Sequence, residues 1–201
     1  MTESIMYHDG NRRLQDAFDS RRISDRLEEK LTRSAFTADD KAFIESAIYF
    51  FLATADAEGR PDCSFKGGAP GFVRLTGASE LAFPDYDGNG MFKSLGNVTV
   101  NANVGLLFID MHEKPRRLRV NGIAAISRDD PLLNETVGAQ MIVRVQARAI
   151  FPNCPRYIPK LQLLEPSVYA PQAGCAPVEP AWKGFDLFKG YVHPRQPTAK
   201  G

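Results

Sequence analysis

The sequence predicts a mainly β fold of the α+β class: a small antiparallel β-barrel with peripheral helices. Three observations lead there. Six or seven short stretches of extended pattern follow one another along the chain. Most are joined by turns too short to hold a crossover helix. Helical spacing is confined to the N-terminus and one central segment. A doubly wound parallel sheet would need strand and helix to alternate throughout, and they do not.

Taken in order, residues 11–33 read as an amphipathic helix with Leu14, Phe18, Leu27 and Leu31 near one face. Its many arginines interleave with Asp16, Asp19, Asp25, Glu28 and Glu29, which suits a solvated face. An arm lying over a partner subunit is the other reading. Thr37 can cap a second helix, with Asp39 and Asp40 in its first turn suiting the positive end of the dipole. Phe43, Ile44, Ala47 and Ile48 give that helix an apolar stripe.

From Tyr49 the period changes. Residues 49–55 (YFFLATA) form a buried strand, residues 56–59 a turn, and residues 61–66 an extended return that Pro61 favours. Residues 67–71 are a glycine-rich loop. Residues 72–75 and 81–83 are short strands around a turn at 76–79, and residues 84–90 are a polar turn. Asn89 is a candidate cap for a helix over 91–102, with Phe92, Leu95 and Val98 on helical spacing. Residues 104–111 and 118–127 pair around a turn at 113–115. Residues 141–151 alternate cleanly, placing Val143, Val145, Ala147, Ala149 and Phe151 on one face. A short helix is expected over 157–164. From Glu165 the chain is a Pro-rich tail, expected to be pinned by Trp182, Phe185 and Phe188. The organisation is an N-terminal helical arm (1–36), a barrel (37–160) and a C-terminal tail (161–201).

Composition narrows the function classes. With 43% hydrophobic and 24% charged residues, the 201-residue chain has the balance of a soluble globular protein rather than a collagen-like, disordered or polytopic membrane one. Lys+Arg is 25 against Asp+Glu 24, so no nucleic acid or acidic membrane surface is implied as a partner. Any ligand charge must be met by local groups. Cys63, Cys154 and Cys175 are widely spaced and form no CxxC pair, which fits a reducing cytoplasm. The N-terminus has no secretory h-region, and the longest apolar run, 47–55, is far short of the roughly 20 residues a membrane span needs.

Several chemistries lack their motifs. No GxGxxG follows a strand and there is no GxxxxGK[ST] or GxSxG. His8, His112 and His193 are scattered without ligand spacing, so no metal site is expected. Three segments remain. In 63–74, a strand carrying Ser64 and Lys66 runs into Gly67 and Gly68. A phosphate needs charge compensation and N–H donors at close range, and glycine lets backbone approach a ligand. A plain connection with a solvated lysine explains the same residues. In 85–97, turn residues lead into a helix with Lys93 and Ser94 in its first turn. Unsatisfied N–H groups there would favour an anion, and an ordinary capped helix stays open as the other reading. Gly96 within that helix costs about 1 kcal/mol. It suggests close packing against something flat, or a kink. In 151–160, a rigid Pro-bounded turn carries Cys154, Arg156, Tyr157 and Lys160, suited to an anionic or aromatic ligand.

Together, FLATADAEGRPDCSFKGGAPGFVRL, FPDYDGNGMFKSLGN, VGLLFID and FPNCPRY resemble the pyridoxamine 5'-phosphate oxidase-like flavoproteins, over about residues 37–160. The resemblance is to a branch of FMN-dependent enzymes. It implies an FMN-binding split antiparallel β-barrel with peripheral helices that forms a homodimer, with FMN in a cleft between protomers. Ser64 and Lys66 would then face the flavin phosphate or ribityl chain. Gly67 and Gly68 would let backbone lie against the isoalloxazine ring. Asp85, Asn89, Lys93, Ser94 and Asn97 would close the site from the turn and central helix. Arg156 would approach a flavin site, its own or the partner's. The oxidases proper carry an Arg-rich phosphate strand, a Ser-Arg-Lys helix start and a C-terminal Trp…Arg-Leu signature. Here the corresponding residues are Phe65-Lys66, Phe92-Lys93-Ser94, and Trp182 with no following Arg-Leu. The resemblance therefore implies a flavin that passes hydride or electrons from a nicotinamide or deazaflavin donor to an unidentified small molecule. Two alternatives stand beside it. One is a flavin or haem carrier without turnover, with His112 or His193 as haem ligand. The other is a ligand-free interaction protein that docks through its N-terminal helix.

Overall fold

A computed structural model describes residues 4–192. Its helices are α1 (Asp9–Ala17), α2 (Arg21–Leu31), α3 (Ala38–Ser46) and α4 (Lys93–Val100). Its strands are β1 (Tyr49–Ala55), β2 (Pro61–Gly67), β3 (Arg74–Gly77), β4 (Glu80–Tyr86), β5 (Asn103–Asp110), β6 (Arg116–Ser127) and β7 (Ala139–Asn153).

All strand pairs are antiparallel, in the order β2-β1-β5-β6-β7-β4-β3. The sheet is not closed, yet it coils on itself. Phe50 of β1 meets Phe83 of β4 edge-on at 4.9 Å between ring centroids, although β5, β6 and β7 lie between those strands in the sheet. Phe50 also packs on Phe72 and on Phe108 of β5. Its ring is fully buried, and Leu52, Leu81, Leu106, Val120, Val145 and Ile150 complete the core around it. This is a split β-barrel with peripheral helices. Burying so many apolar side chains inside one coiled sheet is the main driving force for the fold.

β6 and β7 pair around a bulge at Asn121/Gly122, where two residues of β7 oppose one of β6. A Cβ at Gly122 would stand 2.3 Å from the Gln146 carbonyl oxygen, so the close approach of two backbones requires glycine there. The bulge corrects the uniform alternation expected over 141–151. Val143, Val145 and Ala147 pair with the inward Ile126, Ala124 and Gly122, whereas Ala149 and Phe151 pair with the exposed Asn121 and Arg119. Ile150 continues the central cluster, while Ala149 and Phe151 are buried on the opposite face. A one-residue insertion reverses the parity of every side chain beyond it.

Other expectations also change. The single helix over 11–33 is two helices, broken where Asp19 takes φ 48°, a left-handed conformation that Asp tolerates. Leu14, Phe18, Ile23 and Leu27 remain exposed on them. Arg33 then joins the sheet through paired backbone bonds with Ile150 of β7. Thr37 caps α3 as expected, in a capping box with Asp40. The central helix starts later than 91 and ends before 102, and Asn89 is not its cap. Phe92 holds the cap position at φ 48°, and Asn89 instead accepts a bond from the Met91 amide within the turn. Residues 157–164 form no helix, because Tyr157 sits at φ 69° and Pro159 follows. In the tail, Trp182 packs edge-on against Phe188. The tail meets the barrel elsewhere, through Lys183 on Asp87 (2.6 Å) and Pro171 over Gly138 near Tyr86. Among the described residues, no helix is long and apolar enough to cross a membrane.

Candidate functional site

The alternation of β2 sends Cys63 and Phe65 outward and places Asp62, Ser64 and Lys66 on its other side. The start of α4 lies against that side. The buried Ser94 Oγ donates to Asp62 Oδ2 (2.8 Å) and lies 2.9 Å from Ser64 Oγ. One turn on, Asn97 Nδ2 donates to Thr54 Oγ1 of β1 (3.0 Å), with both residues buried. Asn97 is therefore a clamp that fixes α4 to the sheet, its amide already engaged by the protein.

Phe92 offers α4 no side-chain cap, so the first N–H groups of the helix are left open. Lys93, at the first helical position, is exposed and makes no ion pair among the described residues. Donors of this kind at the positive end of a helix suit an anion. Against them stand two carboxylates. Asp62 is engaged by Ser94. Asp85 lies at the end of β4, and burial raises its pKa. Donation from Gln140 Nε2 (2.8 Å) and the nearby Lys66 charge oppose that rise, while Asp87 adds to it. Gln140 Nε2 also donates to the Tyr86 carbonyl (3.2 Å). Burial pushes the Tyr86 phenol up to about 12.

The structure thus brings Ser64, Lys66, Asp85 and Ser94 towards one place, with Lys93 at its rim. It uses others differently. A Cβ on Gly68 would fall 2.5 Å from Cγ of the buried Phe72, and one on Gly67 would fall 2.8 Å from the Phe65 ring. Both glycines are accounted for by packing within the chain. Asn89 is exposed in its turn. Arg156 follows the Asn153 end of β7, exposed near the ring of Tyr157, and no described contact joins it to β2 or α4. His112 is exposed, its Nδ1 2.7 Å from Asp110 Oδ1, while His193 lies outside the described residues. Sequence reasoning missed three participants. Asp62 was legible two positions before Ser64 on the same strand face. Thr54 and Gln140 carry no local signal, since only the fold brings them to the site.

On the opposite side of β2 from Ser64, Tyr49, Phe51 and Phe65 form an aromatic cluster on the outer face of β1 and β2. Tyr49 and Phe65 stack at 5.4 Å, and Phe51 meets both edge-on. Phe65 is 62% exposed. A separate open hollow of about 780 Å³, lined by Ala53, Asn101, Asn121 and Arg148 among others, does not include Ser64, Lys66 or Ser94.

The family model for pyridoxamine 5'-phosphate oxidase matches residues 36–168, well over half of the chain. The chain belongs to this family. The matched region includes all seven strands and α4. Among curated proteins, none matches the sequence. Solved structures similar to it include HupZ of Group A Streptococcus, at 19% identity and a TM-score of 0.47, covering 58% of this chain and 93% of that one. An FMN-binding protein from Syntrophomonas wolfei subsp. wolfei is 13% identical at a TM-score of 0.45, covering 70% and 97%. HutZ, a heme storage protein from Vibrio cholerae, is 18% identical at 0.43, covering 57% and 92%.

Proposed function

We propose that this member of the pyridoxamine 5'-phosphate oxidase family is an FMN-binding oxidoreductase that acts as a homodimer on a small molecule. The observation that carries the reading is the convergence of Ser64 and Ser94, 2.9 Å apart, beside Lys66 and the uncapped start of α4. The Ser64 hydroxyl, a cation and free N–H groups form the donor set that a phosphate dianion requires. When bound, FMN supplies hydride or electron transfer, with a nicotinamide or deazaflavin as the donor in this reading.

The chain's own residues do the rest. Lys66 and Lys93 compensate the phosphate charge. The α4 amides and the Ser64 hydroxyl orient it, while Ser94, donating to Asp62, fixes the helix start against β2. Asn97, bound to Thr54, holds the helix start in register with β2. Asp85 keeps negative charge away from the phosphate to the extent that burial keeps it protonated. The Tyr49–Phe51–Phe65 cluster, with Phe65 exposed and the other two rings half-buried, supports dimerisation, since a contiguous aromatic patch on a sheet face marks an interaction surface. Arg156 would then serve the partner's site. The three free, exposed cysteines accord with a cytoplasmic setting.

The test is the absorbance spectrum of the purified protein, before and after incubation with FMN, and its bleaching by a reduced nicotinamide or deazaflavin. A flavin spectrum that bleaches is the expected result. A colourless protein that takes up no FMN overturns the reading, and bound flavin that no donor reduces reassigns the protein as a carrier.

A further inference from the structure

Gly96 is an anomaly within the chain. It stands inside α4, where glycine is among the poorest helix formers. No atom beyond its own neighbourhood lies within 4 Å of the position its Cβ would take. Its backbone conformation does not call for glycine either, as its φ is not in the left-handed range. Gly122 and Gly68 are each explained by a close intrachain contact; Gly96 is not. What it faces is an open hollow of about 380 Å³ lined by Phe92, Leu95, Ile126 and Met141, with Arg128 at its edge.

Two features of that cavity point to a ligand. Arg128 is exposed and makes no hydrogen bond or ion pair among the described residues, so its guanidinium is available beside an open, mostly apolar hollow. Phe92, a bulky residue held at φ 48°, places its ring at the cavity although that backbone conformation disfavours it. The hollow also adjoins the candidate site residues. Gln140 lines it and donates to Asp85, which senses the Lys66 charge. Its volume falls within the range of small-molecule sites, which are mostly apolar with a few placed polar groups.

We propose that this cavity is the substrate subsite, and that it takes a small planar apolar molecule bearing one anionic group. The flat floor that glycine leaves along α4 receives the planar body, Phe92 lies against it, and Arg128 pairs with the anion. This deepens the flavin reading by naming the class of molecule that meets the flavin, but the binding itself rests on residues outside the phosphate cradle.

The experiment uses the full-length protein as purified, with flavin content read from absorbance in the same samples. 2-Naphthoate is titrated by calorimetry into the wild type, Gly96→Leu, Gly96→Ala and Arg128→Gln, and neutral 2-naphthamide into the wild type. Saturable binding of one 2-naphthoate per chain is expected. Gly96→Leu, whose Cβ has open space around it and whose branched end projects into the hollow, weakens it at least about tenfold, and Gly96→Ala by less. Arg128→Gln weakens it about tenfold, to the level at which the wild type binds the amide. FMN content stays the same in all variants. No saturable binding to the wild type, or unchanged binding in both Gly96 variants, overturns the proposal. If 2-naphthoate binding follows this pattern in a protein that takes up no FMN, the flavin reading fails and the subsite stands. If FMN binds and 2-naphthoate does not, the subsite fails alone.

Discussion

Replacing Lys66 by Met removes the positive charge from β2 while keeping an unbranched apolar stem. Two separate effects follow from its position. If Lys66 meets a phosphate, the variant loses a hydrogen bond to a charged partner, roughly 1.5–3 kcal/mol. At about 1.4 kcal/mol per decade that weakens FMN binding roughly 12- to 140-fold. The second effect concerns Asp85, whose raised carboxyl pKa Lys66 partly offsets. A carboxyl raised in the folded state favours folding below its unfolded pKa, and that contribution is lost as pH rises through the folded pKa. Without Lys66 the folded value moves further up, so Lys66→Met loses more stability than the wild type between pH 4 and pH 8. Flavin fluorescence quenching reads the first effect and thermal melts across that pH range read the second. The phosphate role is refuted if FMN affinity stays within about twofold while the melts change as described, because Lys66 would then serve Asp85 alone.

Asp85→Asn removes the carboxylate that opposes an anion in the cleft. At pH 8 it should bind FMN several-fold more tightly than the wild type, with the two curves converging as acid protonates Asp85 in the wild type; a ratio constant with pH argues against this role. Phe65→Asp puts a charge into the outward aromatic cluster. Sedimentation should show a dimer for the wild type and a monomer for the variant, with little change in melting temperature because Phe65 is largely exposed within one chain; an unchanged sedimentation coefficient counts against dimerisation through this face. Gly122→Ala forces a methyl to within 2.3 Å of the Gln146 carbonyl oxygen. It should cost about 1–3 kcal/mol, a fall of several degrees in melting temperature, and a melt like the wild type's would show that the bulge can open.

What the sequence made legible depended on how local its cause was. The hairpin of β1 and β2, the Thr37 capping box and the long β7 are dictated by neighbours in the chain, and each appears close to where its residues place it. The run from Val143 to Phe151 misled because its alternation continues across the bulge, and the bulge is imposed by Gly122 on another strand. The break between α1 and α2 was hidden because Asp19 fits a helix nearly as well as a left-handed turn. The same holds at the candidate site. Ser64, Lys66, Lys93 and Ser94 could be selected from chemistry and spacing. That Ser94 would meet Ser64, and that Gln140 would reach Asp85, are consequences of sheet order that no window of sequence contains.

The tie between Lys183 and Asp87 has a wider consequence. Asp87 sits two residues beyond Asp85, in the turn that launches α4, while Lys183 belongs to a segment almost a hundred positions later. The entrance to the helix is therefore guyed from two directions: by the barrel wall on one side and by the segment around Lys183 on the other. An ion pair near the surface slackens as ionic strength rises. The tautness of that entrance is thus coupled to the electrolyte around the protein and to the segment that carries Lys183.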